Sequence, residues 1–328
     1  MKTHSFYWLG GFFALIVMAI AMLALLVDAF LNVPDFKELK GSVEMPTYRN
    51  HQKVGTRMIG PKAPGWVPIS QVSDNLIWAV VSSEDTSYFS HEGVDYHELR
   101  EALKKDLKEG RFVRGGSTIT QQVVKNIYLG RQKTLWRKLK EFIWARELSR
   151  QLTKGEVLAL YLNLAEWGPG VYGVGQATQY YFGLKPYELS AKQAAYLAML
   201  LPAPTKYHTY FVKKELTQWA NRRVGQILRI MLKMKWLDEG NYGLALSEPL
   251  WGNTGVLVAS PADEDSSLEN DDPTIQGFSS TEYEPAQKPK MPVAEPDTET
   301  EPLLDESEEG SLSIEPSIED VLQEPQQP

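Results

Sequence analysis

RGGSTITQQVVKN, running from Arg114 to Asn126, sets a basic residue and a glycine pair ahead of hydroxyls, two amides and a lysine, with little apolar filler. A core segment has a different composition. The backbone of Gly115 and Gly116 can turn sharply and let a ligand approach, and Ser117 suits the N-cap of a helix over 118–126. Exposed N–H groups at that helix start, with the positive end of its dipole, predict a cradle for an anion such as phosphate, and Arg114 and Lys125 add charge from either end. An ordinary loop-to-helix start also supplies glycines and a serine, so the stretch by itself leaves both readings open.

Composition divides the 328 residues into three unequal parts. Phe6 to Val27 is a run of 22 uncharged, mostly apolar residues, which as a helix spans roughly 33 Å, enough for the hydrocarbon of a bilayer. It ends in Leu25-Leu26-Val27-Asp28 and lacks the small residues of a cleavage site, which favours an uncleaved anchor over a signal peptide. Lys2 precedes the run and Asp28 and Asp35 follow it, so the positive-inside bias puts the N-terminus in the cytoplasm and the remainder outside. At the other end, residues 252–328 hold 20 acidic and 2 basic residues with abundant Pro, Ser, Thr and Gln, a composition expected to stay disordered. The formal charge of −8 therefore combines a body of +10 with a tail of −18. A basic body beside a bilayer suits anionic lipid or a phosphate-bearing substrate, and an outward-facing one meets no nucleic acid. The chain has no cysteine, which excludes disulfides, a thiol nucleophile and cysteine-based zinc sites.

Between these parts the pattern is helical. Residues 40–68, rich in Pro, Gly, Lys and Arg, read as an irregular connection with at most a short strand. Apolar spacing predicts helices over 70–83 and over 135–152, the second with Leu135, Leu139, Phe142 and Leu152 as its buried stripe. Capping-box patterns at Thr153/Glu156 and Ser190/Gln193 open two more, through about 166 and 201, and a basic amphipathic helix follows over 216–235. The expected class is mainly α, in one domain of about 200 residues. The glycine-rich run 168–175 does not fit a dinucleotide fingerprint, since it follows a helix and its spacing is wrong. It reads as a tight turn between helices, lining a cleft.

Two carboxylates lie where chemistry is reasonable. Glu84, with Asp85, ends a helical segment before the loop TSYFSHEG of residues 86–93, where a general base can sit, although a solvated helix end has the same appearance. His91 in that loop reads more simply as a structural histidine. Arg137 and Lys138 lie four and three residues before Glu141 on one helix, spacing that a solvent-facing ion pair also satisfies. The combination of two carboxylates, an anion cradle and several cations describes a site for a sugar phosphate.

The segments EDTSYFSHEG, RGGSTITQQVVKN, RKLKEFIWARELSR, KGEVLALYLNLAEWG and YYFGLKPYELSAKQAAYLAMLLPAP resemble, in order, the five motifs of the peptidoglycan glycosyltransferases, glycosyltransferase family 51. The resemblance covers about 67–203, and NLAEWGPG is similar to the monofunctional biosynthetic branch. It implies a lysozyme-like glycosyltransferase domain with a membrane-associated jaw subdomain, and an enzyme of the bacterial inner membrane that polymerises lipid II into β-1,4 glycan strands. On this reading 1–30 are the cytoplasmic N-terminus and anchor, 31–66 a membrane-proximal connection, 67–245 the catalytic domain, periplasmic, and 246–328 the acidic tail. By resemblance, Glu84 is the general base toward the acceptor 4-hydroxyl and Glu141 assists at the pyrophosphate. Lys125, Arg137 and Lys138 stabilise the leaving group, Ser117, Thr118 and Gln121 position it, and Lys133 and Arg114 complete the substrate contacts. No cofactor is required, and a divalent cation, Mg or Mn, at Glu141 is left open. Lipid II, the growing strand, membrane lipids and other cell wall synthesis proteins are the implied partners. The chain departs from the family pattern at Tyr88, where Phe is usual, at Ser149, where Glu is usual, and at Lys133, where Arg is usual.

Two other readings compete. A glycan hydrolase of lysozyme-like fold also uses a carboxylate, but it leaves the anchor and the cations unexplained. A non-catalytic anchored scaffold, recruiting basic partners through its tail, leaves Glu84 and Glu141 unexplained.

Overall fold

The computed structural model describes residues 3–49, 52–109, 116–130 and 134–251. Arg114, Lys133 and the tail from residue 252 lie outside them.

The chain begins with helix α1, Thr3–Leu31. Its best 18-residue window reaches a mean hydropathy of 2.7, and Phe12, Phe13 and Leu23 stand exposed on it. Bare apolar surface on so long a helix is what lipid covers. Its C-terminal end docks on the body. Trp144 Nε1 donates to the Ala29 carbonyl at 2.8 Å, and Lys140 pairs with Asp28 at 2.9 Å.

Of the expected irregular connection, 60–68 are irregular, but 43–49 and 52–59 form a hairpin. Strands β1, Val43–Arg49, and β2, Gln52–Ile59, pair antiparallel from Val43 opposite Ile59 to Arg49 opposite Gln52. Pro46, Gly55 and the basic residues hide the alternation, and a bulge at Thr47/Tyr48 interrupts the period of two. Met45 and Ile59 still face the core.

The body is mainly α, as expected. It comprises α2 (Asp74–Glu84), α3 (Tyr96–Glu109), α4 (Ile119–Tyr128), α5 (Leu135–Gln151), α6 (Lys154–Leu164), the two-stranded β3 (Glu166–Gly168) and β4 (Val171–Tyr172), α7 (Val174–Phe182), α8 (Ala191–Leu200), α9 (Pro204–Lys213), α10 (Gln218–Lys233) and α11 (Glu239–Ser247). α2 packs against α8 and α10, and α4 packs against α5, α6 and β1. Burial explains why α2 and α8 are apolar nearly all round. Leu76 to Ser82 and Ala194 to Leu200 are buried without a gap. Trp78 is fully enclosed and stacks on Trp236 with ring centres 4.4 Å apart. Truncating such a residue costs about 3–5 kcal/mol.

Helix ends follow local chemistry. Thr153 with Glu156 and Ser190 with Gln193 form the expected capping boxes. At the far end of α6, Arg57 of β2 donates to the Leu164 carbonyl at 2.6 Å and the Asn163 carbonyl at 3.3 Å, so a cation meets the negative end of that helix. The glycine-rich run forms the small hairpin β3–β4 between α6 and α7. Gly173, at φ 81°, lies against the Asn163 backbone, where a Cβ has no room. Residues 246–251, which the expected domain bounds assign to the tail, pack on α8: Lys192 Nζ donates to the Glu248 carbonyl at 2.5 Å, and Trp251 meets Tyr196 edge to face.

The buried stripe of α5 differs from expectation. Leu152 is buried and Phe142 packs on the core as expected, but within the helix the buried residues are Glu141, Trp144, Ala145 and Leu148, while Leu135 is 85% exposed and Leu139 only partly covered. A buried carboxylate in the stripe breaks the apolar periodicity, and Leu135 and Leu139 alone imitate a neighbouring face.

Candidate active site

α4 is the spine of the site, and its cap decides which side chains face outward from it. The N-cap is Thr118, one residue beyond the expected Ser117. Its hydroxyl accepts from Gln121 N while Gln121 Oε1 accepts from Thr118 N, a reciprocal capping box. The Thr118 hydroxyl donates in turn to the Gly93 carbonyl at 2.6 Å, and Ile119 N donates to Asp85 Oδ2 at 2.9 Å. The N–H groups of Thr118, Ile119 and Gln121 are therefore engaged within the chain. Asp85 takes the place at the helix start that the sequence reading gave to a bound anion.

Thr118, at 3% exposure, and Gln121, at 1%, are thus architectural in placement. Ser117 is released from capping and accepts from Lys138 Nζ at 2.7 Å.

The next residue of α4 reaches the first carboxylate. Gln122 Nε2 donates to Glu84 Oε2 at 2.7 Å, and the Tyr161 hydroxyl of α6 points to the same oxygen at 3.4 Å. From α10, Arg223 donates to the Ser83 hydroxyl at 3.3 Å and brings positive charge toward Glu84. Glu84 is partly open as a residue, yet protein closely surrounds its carboxyl. Burial pushes its pKa up, opposed by the Gln122 hydrogen bond, Arg223, Lys125 and Tyr161. Gln122, Tyr161 and Arg223 went unnoticed in the sequence. Gln122 was legible as the second of a glutamine pair, whereas Tyr161 and Arg223 arrive from distant helices without a local signal.

The second carboxylate belongs to a cluster on α5. Glu141, 2% exposed, accepts from Arg137 at 2.8 Å and from Lys138 at 2.9 Å, one on each oxygen. The spacing expected for a surface pair instead buries the acid and leaves the cations nearer solvent, at 19% and 41% side-chain exposure.

Lys125, one turn beyond Gln122 on α4, relates the two groups. Burial pushes its pKa down, and Glu141 and then Glu84 oppose that shift. Among the described residues nothing hydrogen-bonds its ammonium. The arrangement is one carboxylate of raised basicity and a patch of three cations, Lys125, Arg137 and Lys138.

The residues present do not fit a divalent cation at Glu141. Each of its oxygens accepts from a cationic donor, which would repel a metal ion, and no group of three His, Asp or Glu side chains able to hold one occurs among the described residues.

The loop between α2 and α3 is held firmly. His91 Nε2 meets Asp85 at 2.9 Å, in keeping with a structural histidine, and Lys154 Nζ donates to the His91 carbonyl at 2.5 Å. The Tyr88 departure is accommodated, its buried hydroxyl donating to the Lys154 carbonyl at 2.7 Å.

The sequence model of one family, described as Transglycosylase, matches residues 51–232, more than half of the chain. The chain belongs to the transglycosylase family. Family members similar to it include the biosynthetic peptidoglycan transglycosylase of Herminiimonas arsenicoxydans, 41% identical over 166 residues, which are 51% of this chain and 70% of that protein. That of Janthinobacterium sp. (strain Marseille) is 38% identical over 188 residues, 56% and 80% of the two chains. Penicillin-binding protein 1A of Aquifex aeolicus is 34% identical over 237 residues, 72% of this chain and 32% of that one. As a transglycosylase family member the chain is a peptidoglycan glycosyltransferase.

Proposed function

We propose that this membrane-anchored peptidoglycan glycosyltransferase polymerises lipid II into β-1,4 glycan strands, releasing undecaprenyl pyrophosphate with inversion at the anomeric carbon. Glu84 takes the proton of the acceptor 4-hydroxyl as its oxygen bonds to the donor anomeric carbon. The bond from that carbon to the pyrophosphate breaks, and its electron pair leaves on the phosphate oxygen. Lys125, Arg137 and Lys138 neutralise the charge that develops there, with Ser117 orienting Lys138. Glu141, held between two cations, serves as their anchor and is not free to act as a nucleophile, which favours a single displacement. Residues 67–245 form the catalytic domain. The N-terminus lies in the cytoplasm, α1 crosses the inner membrane and the catalytic domain stands in the periplasm.

The observation that carries this reading is the pairing of Glu84 with Gln122 of α4 at 2.7 Å, beside the Arg137 and Lys138 cations that converge on Glu141 at 2.8 and 2.9 Å. On α4, Gln122 touches the base and Lys125 follows one helical turn later, an arrangement that suits an alcohol nucleophile and a pyrophosphate leaving group. The test is incubation of the full chain with labelled lipid II, scoring polymer and released undecaprenyl pyrophosphate. Glu84→Gln is expected to lose roughly 10²–10⁴-fold in turnover, the range for general base catalysis. Unchanged turnover in a folded variant would remove Glu84 from its role.

A further inference from the structure

The cleft between the end of α1 and α5 has no part in the chemistry above. It is an open cleft of about 780 Å³, within the size range of small-molecule sites. Its walls include Phe30, Val33 and Phe142, and Tyr96 closes one side with its ring edge to face on Phe142 at 5.6 Å. The uncharged run of α1 ends at Val27, and Phe30 lies three residues further, about 4.5 Å along the axis. The cleft thus opens at the depth where hydrocarbon gives way to headgroups.

Four charged side chains line it, Arg146 and Arg150 against Asp35 and Glu147. Arg146 donates one N–H to the Tyr96 hydroxyl at 3.1 Å, and Arg150 approaches Glu147 at 3.5 Å. Each guanidinium has five N–H donors, so most remain for a ligand. Asp35 uses Oδ1 to cap Lys37 N, leaving its second oxygen. A purely anionic headgroup would bring its charge against both carboxylates. A headgroup with a phosphate and a primary ammonium satisfies both signs, and its acyl chains continue along the apolar face at Phe30.

We propose that this cleft binds a phospholipid with an ethanolamine headgroup, its phosphate on Arg146 and Arg150 and its ammonium on Asp35. The proposal rests on the anchor and the cleft, independently of the catalytic roles assigned above. It is tested by native mass spectrometry of the full chain in detergent, supplied in turn with phosphatidylethanolamine, phosphatidylglycerol and phosphatidylcholine. The expected result is one retained phosphatidylethanolamine, favoured about tenfold over the other two. Asp35→Asn keeps an oxygen for the Lys37 cap and is expected to remove the preference over phosphatidylglycerol. Arg146→Gln with Arg150→Gln is expected to lose retention of both lipids, and if that double variant does not fold, Asp35→Asn decides. Lys125→Ala is expected to retain phosphatidylethanolamine as the unaltered chain does. Equal retention of the three lipids, a preference that survives Asp35→Asn, or loss of the lipid in Lys125→Ala each overturns the proposal.

Discussion

Gln122 donates to Glu84 across 2.7 Å while Gln121, its neighbour, folds back to cap the helix they share. The two amides should separate experimentally. Gln122→Ala removes a hydrogen bond that lowers the Glu84 pKa, so the acid limb of kcat/KM is expected to move to higher pH. A hydrogen bond to a charged group is worth about 1.5–3 kcal/mol, so rates at pH values below that limb should fall roughly ten- to hundredfold. Gln121→Ala should leave the pH profile in place and cost about 1 kcal/mol of stability through the lost cap. Matching pH profiles for the two variants would contradict the assignment.

The pH profile itself should be a narrowed bell. Burial raises the Glu84 pKa, so the base is lost by protonation at a pH above the usual carboxylate range. Burial lowers that of Lys125, so its charge is lost below the usual lysine range. Glu141 is the main group opposing the Lys125 shift, and Glu141→Gln should therefore move the basic limb to lower pH. Lys125→Arg, which does not titrate in this range, should abolish that limb. Initial rates across pH with lipid II in excess check both outcomes.

Much of this scaffold was legible because it is local. The caps at Thr153 and Ser190 depend on residues three positions apart, and the anchor depends on one apolar run. The 43–59 hairpin was missed because pairing Val43 with Ile59 is a long-range choice that Pro46, Gly55 and a bulge disguise. Ser117 and Thr118 both suit an N-cap by composition, and only the Gly93 carbonyl and Gln121 decide between them. The same limit applies to the site. Tyr161 lies 77 residues from Glu84, and Arg223 lies 140 from Ser83, separations at which a sequence holds no spacing to read.

Two glycines offer a stability test. Gly93, at φ 83°, presses on the Ala145 backbone, where an added Cβ would collide, whereas Gly65, at φ 75°, faces open space. Gly65→Ala should cost only the left-handed backbone strain, about 1–2 kcal/mol. Gly93→Ala adds overpacking against an immovable carbonyl and should cost about 2–5 kcal/mol in total. Thermal unfolding that ranks them equally would contradict the packing of the loop on α5.

Lys154 gives a pH test of stability. Burial pushes its pKa down from 10.5 to about 8. The folded state thus binds this proton less tightly than the unfolded chain, and the resulting penalty is fully present below about pH 8 and fades toward 10.5. Against Lys154→Met, the unaltered chain should gain relative stability as pH rises through that window. A difference in Tm that stays flat from pH 7 to 10.5 would show that the lysine is freely solvated.

The joint between Ala29 and Trp144 has a consequence for the physics of the surroundings. The helix that carries Arg137, Lys138 and Glu141 is tied to the end of α1 by that hydrogen bond and by the Lys140–Asp28 pair, so on the proposed topology a tilt of α1 in a thicker or thinner bilayer would be passed to the cation patch. On that topology, acyl-chain length in a reconstituted membrane is expected to change the rate of polymerisation.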